Sequence, residues 1–475
     1  MKNALSIFGA LVCTLPAWAQ VGSIDPSFNP GAGFGVGVLQ ERVECLEQQP
    51  DSKILIGGWF TDYNGTPASR IVRINLDGSI DNSFNTGTGC GGVFPYVNAI
   101  AVQGNGRIIV GGNFNDFDGV SKNRLVRLNA NGSIDESFDV LTGFNSDVNA
   151  LAIQPDGKII ATGIFSQYDW LSGSAIPRSG IIRLNPDGSN DESFDPGVGF
   201  SSASGQMRVN CVALQPDGKI LTAGQFTAFD GEPRVLVARL NSDGSLDNSF
   251  DPGDGFALNF GFYGEVSAME LLPDGKIMLA GNFSHTGASG SGVIRLNSDG
   301  SIDSSFTADT FATAMTVQTD GKVLVAVSGP YFVQRYNSDG SLDDTFTVVE
   351  LNDWAQDILV QFDGNILLGG WFDYNPNAIM RVIGDSPWVG MDELSALSFN
   401  VFPNPASDFI RIDASHVARH PVAMIQVYNH LGQVIHTEAL VSDQLLISCA
   451  AWPAGTYFIH AVGTKTPYTQ KVIVH

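Results

Sequence analysis

The stretch Arg183-Leu184-Asn185-Pro186-Asp187-Gly188-Ser189-Asn190-Asp191-Glu192-Ser193-Phe194 decides the fold, because the chain repeats it. Its turn residue recurs at Asp77, Asn131, Asp187, Asp243, Asp299 and Asp339. Between these copies runs a second phrase, seen whole in Gln154-Pro155-Asp156-Gly157-Lys158-Ile159 and centred on Asp51, Asn105, Asp156, Asp217, Asp274, Asp320 and Asp363. The runs around both phrases are short, β-branched or aromatic, and bounded by Gly and Asp, which is how strands read. Each unit is expected to hold four strands. In the third unit these are residues 148–154, 158–165 and 181–185, and the element Asp191 to Phe194. The Asp-Gly pairs read as type I′ hairpin turns.

Four strands per unit of this length point to propeller blades. The second phrase has seven copies and the first has six. The seventh unit, through Ile383, lacks its last element, while Ser23-Ile24-Asp25-Pro26-Ser27-Phe28 stands alone near the other end. The expected fold is therefore all-β: a seven-bladed β-propeller over residues 20–383, closed by its N-terminal strand, which removes exposed sheet edges. Both phrases recur in order over roughly residues 23–383, and in this the units resemble the delta-60 repeats of bacterial surface and secreted proteins. That resemblance implies a propeller-like fold and no agreed activity. The sixth unit departs from it, with a short connection from Ser328 to Phe332.

The ends of the chain read differently. Lys2, the apolar run from Ala4 to Leu15 and Ala17-Trp18-Ala19 form a signal peptide over residues 1–19, with Gln20 as the new N-terminus. No later run is long and apolar enough for a transmembrane segment. Residues 384–397 read as a linker. Over 398–475 come Pro403-Asn404-Pro405, alternating strands, Gly432, the turn at Gly455-Thr456-Tyr457 and a last strand with Lys471. This stretch resembles the type A C-terminal sorting domain of the type IX secretion system. The resemblance implies an Ig-like β-sandwich, the type IX secretion machinery as partner, and a secreted or cell-surface product that travels via the periplasm.

The formal charge of −24 repels phosphate backbones, so no nucleic-acid partner is expected. Four cysteines outside the leader are scattered, without metal-ligand spacing. Asn75-x-Asp77-x-Ser79-x-Asp81 has the alternating oxygens of a calcium loop. Its Gly78 stands at the fourth position rather than the sixth, so a turn is the better account and no cofactor is expected, calcium being the alternative. His285 is alone between residues 20 and 383, which disfavours a histidine metal site or a Ser-His-Asp triad there.

Residue types present in every unit read as architectural. Arg73, Arg127, Arg183, Arg239, Arg295, Arg335 and Arg381 share one column and are expected to clasp carboxylates bidentately. The first strand should line the central channel. Its second position is polar throughout: Glu44, Asn98, Asn149, Asn210, Ser267, Thr313 and Gln356. Glu47, Glu270 and Asp357 interrupt otherwise aliphatic columns. Strand parity puts all Asp-Gly turns on one face and the variable connections on the other. Those connections carry Phe94, Tyr96, Trp170, Phe256, Phe260, Phe262 and Tyr263, and variable loops on a rigid scaffold are where recognition sits, the alternative for recurring Gly-Phe pairs such as Gly199-Phe200 and Gly255-Phe256 being packing between blades. The candidate ligand-binding residues are Asn98, Asn149, Asn210, Trp170, Phe260 and Tyr263, and for the polar ring ordered water is the alternative and the favoured reading. The leading function is a binding or scaffold module for a glycan or a surface protein. The alternatives are a carbohydrate-active hydrolase using Glu44, Glu47, Glu270 or Asp357, and a passive structural surface protein.

Overall fold

A computed structural model describes residues 20–35, 41–253, 256–257, 264–286, 291–372, 378–385, 400–403, 406–413, 423–429, 434–440, 444–450, 452–453, 455–462 and 468–474. The expected leader lies outside these residues, as do most of the linker and Phe260, Phe262, Tyr263, Asn404, Pro405 and Gly432. The ordered elements among them are all β.

Each repeat builds one main antiparallel sheet, and the first four add a small second sheet or hairpin from their connections. In the first, Arg42–Gln48 pairs with Ile54–Trp59, and that strand pairs with Ile71–Ile74. The innermost strands of successive repeats are Arg42–Gln48, Tyr96–Val102, Val148–Ile153, Arg208–Leu214, Glu265–Leu271, Ala312–Val317 and Ala355–Val360. Each lies against the next, and the last lies against the first, which makes the arrangement propeller-like. The core is apolar and sits between sheets. For example, Phe138, Phe144, Phe165 and Tyr168 pack with Ile159 and Leu184, all fully or almost fully buried. Burial of each such side chain contributes roughly 1.5–3 kcal/mol.

Two expectations about the turns need correction. The fourth strand shrinks to single bridges such as Leu184 with Asn190, and the Asp-x-Ser-Phe element is a turn. In it Asp191 Oδ1 accepts from the Ser193 amide at 3.0 Å and hydroxyl at 2.7 Å. The Asp-Gly turns are also not type I′, because only the glycine has positive φ: Gly188 at 96° and Gly157 at 84°. Gly188 N donates to Asn185 O at 2.9 Å, and Asn185 N to Ser189 O at 2.8 Å. This is a type I turn closed by a left-handed glycine, the three-residue hairpin loop. Gly188 is needed twice over, since a Cβ there would lie 2.6 Å from Asp139 O of the preceding repeat.

That close approach belongs to a repeated interlock. Asp139 N donates to Asp187 O at 2.8 Å, and Asp195 N to Asp243 O at 2.7 Å, so each repeat hooks onto the next turn. Each clasp arginine divides its fork. Arg183 Nε meets Asp191 Oδ2 at 2.5 Å, one terminal nitrogen donates to Ser242 O of the next repeat at 2.5 Å, and the other reaches Ser193 Oγ at 3.1 Å. Its guanidinium lies 4.9 Å from the Phe194 ring centre. The expected fork-to-fork carboxylate pair is therefore not formed at Arg183, where only Nε reaches the aspartate; at Arg381 both Nε and a terminal nitrogen reach the aspartate, but on one oxygen, Asp25 Oδ2.

The seventh sheet takes its missing element from the N-terminus. Ile24 bridges Val382, and Asp25 N donates to Arg381 O at 2.9 Å. Arg381 Nε donates to Asp25 Oδ2 at 2.8 Å and lies over Phe28. The borrowed element starts one residue before Ser23. Gly22, with φ of 88°, stands where the other repeats place their turn glycine, and a Cβ there would sit 2.3 Å from Thr347 O. The sixth clasp departs from the rest: Arg335 takes the carboxylate of Asp385.

Towards the C-terminus, Asn400–Phe402, Phe409–Asp413 and Gln444–Ser448 form one sheet. Val434–Leu440, Ala423–Asn429, Gly455–Val462 and Tyr468–Val474 form a second. Both contribute to one core that includes Ile410, Ile412, Val427, Ile447, Ile459 and Val472.

Candidate functional site

Every innermost strand carries a β-bulge at the same place, as between Val43 and Cys45, Val97 and Ala99, Val148 and Ala150, or Val209 and Cys211. The extra residue is the polar one of the sequence column: Glu44, Asn98, Asn149, Asn210, Ser267, Thr313 and Gln356. A bulge re-aims one side chain without changing the rest of the strand. Here the re-aimed amides run from repeat to repeat. Asn98 Nδ2 donates to Asn149 Oδ1 at 3.2 Å, Asn149 Nδ2 to Asn210 Oδ1 at 3.2 Å, and Asn210 Nδ2 to Glu265 Oε1 at 2.7 Å. Thr313 Oγ1 donates to Ala355 O at 2.5 Å.

The acids of these strands are half-buried. Asp357 Oδ2 accepts from the Leu46 amide at 2.7 Å and Oδ1 from the Ile358 amide at 2.8 Å, which ties the seventh repeat to the first. Burial pushes the Asp357 carboxyl up to about 6 against those two bonds. Burial, and then repulsion from Asp357, pushes Glu47 and Glu270 each up to about 7. Glu44 also rises to about 7 through burial, with Arg42 opposing. A carboxyl near pH 7 is poised to give or take a proton.

Aromatic side chains gather where Arg42–Gln48 begins. Arg42 pairs in register with Trp59, the last residue of Ile54–Trp59. Its guanidinium carbon lies 4.7 Å from the Trp59 ring centre, 4.6 Å from Trp371 and 5.5 Å from Tyr96, and its Nε pairs with Glu44. Trp371 neighbours Trp354 at 5.4 Å, and Trp354 neighbours Tyr331 at 6.2 Å. At the other end Phe94 is exposed, 6.0 Å from Trp59. The result is an aromatic arc over the second, first, seventh and sixth repeats. Among the described residues, Trp371 Nε1 has no hydrogen-bond partner. The arc lies on the face where the variable connections were expected, but Trp59, Trp354, Trp371 and Arg42 were not singled out from the sequence. The available signal was the strand-end column, where Trp59 and Trp371 replace Asn113, Ile164, Gln225 and Asn282.

The other named residues fall elsewhere. Trp170 is 38% exposed beside exposed Leu171, on the hairpin of Gln167–Tyr168 with Ile176–Pro177 in the third repeat. Phe256 is buried against Phe283 and His285, so it belongs to the core rather than to a recognition face. Its apolar ring gains more from that packing than from exposure. Asp77, the centre of the calcium-like spacing, spends Oδ1 on the Ser79 amide at 2.9 Å and hydroxyl at 2.6 Å. In the C-terminal region Pro403 is exposed, Gly455 opens its strand, and buried Tyr457 donates to Pro453 O at 2.7 Å. Lys471 pairs in register with Phe458.

The chain matches a family described as "Domain of unknown function (DUF5122) beta-propeller" at residues 49–84, 103–138, 154–194, 215–250, 272–306 and 318–346. Residues 400–475 match a secretion system C-terminal sorting domain, and residues 136–170 match a WD domain, G-beta repeat. No curated protein matches. Among solved structures, PorZ, a surface component of the type IX secretion system of Porphyromonas gingivalis, is 13% identical with a TM-score of 0.41. The alignment covers 91% of this chain and 59% of PorZ. The extracellular domain of a putative one-component system of B. thetaiotaomicron is 10% identical with a TM-score of 0.42, over 96% of this chain and 59% of that one. Virginiamycin B lyase of Staphylococcus aureus is 13% identical with a TM-score of 0.39, over 66% and 90%. The chain thus spans about three fifths of the length of the first two. Among the described residues no helix is long and apolar enough to cross a membrane. The sorting tail implies interaction with the secretion machinery and points to a secreted or cell-surface protein. From the repeats and the tail together, the chain carries DUF5122 β-propeller repeats of the delta-60-like kind and a type IX C-terminal sorting domain.

Proposed function

We propose that the chain, once residues 1–19 are removed, is a seven-bladed propeller over 20–383 joined by a linker, 384–397, to an Ig-like sorting domain, 398–475. It reaches the surface or the medium through the periplasm and works there as a glycan-binding module. The observation that carries this reading is the stack of Trp59, Arg42 and Trp371. Aromatic faces take the apolar faces of sugar rings, and the neighbouring guanidinium and indole N–H supply directed donors, the mixture that ligand sites use. Asn98, Asn149 and Asn210 then serve as the polar floor, and Trp170, Phe260 and Tyr263 as outer contacts. The test is a glycan array with the leaderless chain. Trp59→Ala and Trp371→Ala should each weaken a bound glycan about tenfold or more, a loss of roughly 1.4 kcal/mol, with an unchanged melting temperature. A blank array defeats the reading and leaves a protein partner or a passive surface role.

One observation favours a second reading, a carbohydrate-active hydrolase: Glu47 and Glu270 are both held near pH 7 beside Asp357. Glycoside hydrolysis uses two carboxyls in opposite protonation states, and Glu47 or Glu270 at about 7 against Asp357 at about 6 is the unequal pair available. Turnover of an array-positive glycan, abolished by Glu270→Gln, would favour it over simple binding.

A further inference from the structure

At the end of the sheets away from the aromatic arc, a cleft of about 530 Å³ opens between the fifth and sixth repeats. That volume falls in the range of small-molecule sites. Its position follows from one break in the repeat. The residue that opens the first turn is Gln49, Gln103, Gln154, Gln215, Gln318 and Gln361 in six repeats, and Leu272 in the fifth. In two of these repeats the glutamine reaches the clasp, Arg73 donating to Gln49 Oε1 and Arg335 to Gln318 Oε1, both at 3.2 Å, while Gln103, Gln154, Gln215 and Gln361 keep a buried Oε1 without a partner among the described residues. Leu272 has no such atom. Arg295, the clasp of this repeat, is the most exposed of the seven, its side chain 11% exposed against 0–8% for the others.

The walls have a definite chemistry. Leu271, Leu272, Pro273, Met278, Val317 and Val323 make them apolar, with Met278 and Val323 buried at the floor. Glu270, Asp274 and Asp320 supply carboxyls. Arg295 is the one cationic residue lining the cleft, and its charge is already committed. Its Nε donates to Asp303 Oδ2 at 2.6 Å, and its terminal nitrogens to Ser338 O at 2.7 Å and Ser305 Oγ at 2.9 Å. The cleft is thus an apolar slot with a net negative rim.

We infer that the cleft between the fifth and sixth repeats binds a small apolar ligand bearing a cationic amine, with the hydrocarbon against Leu272, Met278 and Val317 and the ammonium at Glu270. An apolar body removes water from the slot, worth about 25 cal/mol per Å² covered, and the rim selects the sign of the charge. Anionic or neutral ligands of the same shape leave those carboxyls facing like charge or nothing.

The probe is 4-phenylbutylamine, with 4-phenylbutyrate and 4-phenylbutanol as matched controls, titrated calorimetrically into the whole leaderless chain. The amine should bind saturably, and at least tenfold more tightly than either control. Leu272→Gln restores the residue of the other six repeats, so the fold should survive. An amide in the slot, drawn to Arg295, should weaken the amine at least tenfold with no loss of melting temperature. Glu270→Gln should weaken it three- to tenfold and reduce the preference over the alcohol. No saturable binding, equal binding of the acid, or full binding by Leu272→Gln would each overturn the assignment.

Discussion

Asp81 and Glu47 are carboxylates of one repeat, and they meet opposite fates. Asp81 is buried at the rim. Burial alone would raise its carboxyl, but hydrogen bonds from Lys53, Ser83 and Arg73 together hold it well below the usual carboxylate range. Glu47, on the innermost strand, faces Asp357 instead, and burial plus that like charge lift it to about 7. Protonation is therefore set by the balance of burial against the donors and charges that reach each acid: donors win at Asp81, and burial wins at Glu47 and, against two amide donors, at Asp357. The difference also divides structure from function. The rim pattern recurs with the repeat, as at Asp191, Asp247, Asp303 and Asp343, whereas the raised acids occur where the repeat departs from itself.

The strongest break of this comparison removes a rim element outright. A chain beginning at residue 29 lacks Gly22, Asp25, Ser27 and Phe28, which leaves Arg381 buried beside its lost carboxylate. Such a chain should lose its cooperative thermal transition, followed by circular dichroism. An unchanged melt would mean that the N-terminal element is dispensable. Next in size, Arg183→Ala leaves Asp191 with Lys158 as its remaining cation and frees Ser242 O of the following repeat, and should cost about 2–3 kcal/mol in urea unfolding. Arg295→Ala, at the most exposed clasp, should cost less, about 1–2 kcal/mol. Equal costs would show that burial at the clasp is not what matters.

The two kinds of acid also pull the pH profile in opposite directions. A rim aspartate has a folded pKa below its unfolded value, so its stabilisation is present above about pH 4 and is lost as pH falls through the folded value. Glu44, Glu47 and Glu270 rise from 4.5 to about 7, and Asp357 from 3.8 to about 6. The native state then binds more protons than the unfolded chain between those limits, and stability falls as pH rises across them. Stability should peak near pH 4–5 and decline towards neutrality. Glu270→Gln should flatten the decline between pH 4.5 and 7 and change little below it. A slope equal to the native protein's would show that Glu270 titrates normally.

The repeated phrases made most of this fold legible. Seven strand pairs, the clasp arginines and the N-terminal completion all follow from residues that recur at fixed spacing. The reading failed where local geometry, not residue type, decides. Asp-Gly fits both a two-residue and a three-residue loop, and only the position of the positive φ separates them. The arc was missed for another reason. Trp59 and Trp371 lie more than 300 residues apart in the chain, and ring closure is what brings them to one arginine. For Phe256 the sequence leaves two readings open, because a Gly-Phe pair in a variable connection looks the same whether its ring turns inward or outward, and the structure takes the inward one.

The smallest expected effect concerns the belt of asparagines, which lies between rim and acids in character: repeated, polar and hydrogen-bonded, yet interrupted by Glu44 and Ser267. Asn149 is its middle link, receiving from Asn98 and donating to Asn210. Asn149→Ala breaks both bonds, but Asn98 and Asn210 are only half-buried, so their amides can be rehydrated. The cost should then be only about 1 kcal/mol in urea unfolding. Asn149→Asp should cost more, because its carboxylate cannot donate to Asn210 and adds a charge to a strand face already short of cations. If Asn149→Ala instead cost as much as Arg183→Ala, the belt would hold the sheets together as strongly as the clasps. The polar ring would then be read as architecture throughout, leaving the aromatic arc and the fifth-repeat cleft as the places where this molecule meets other molecules.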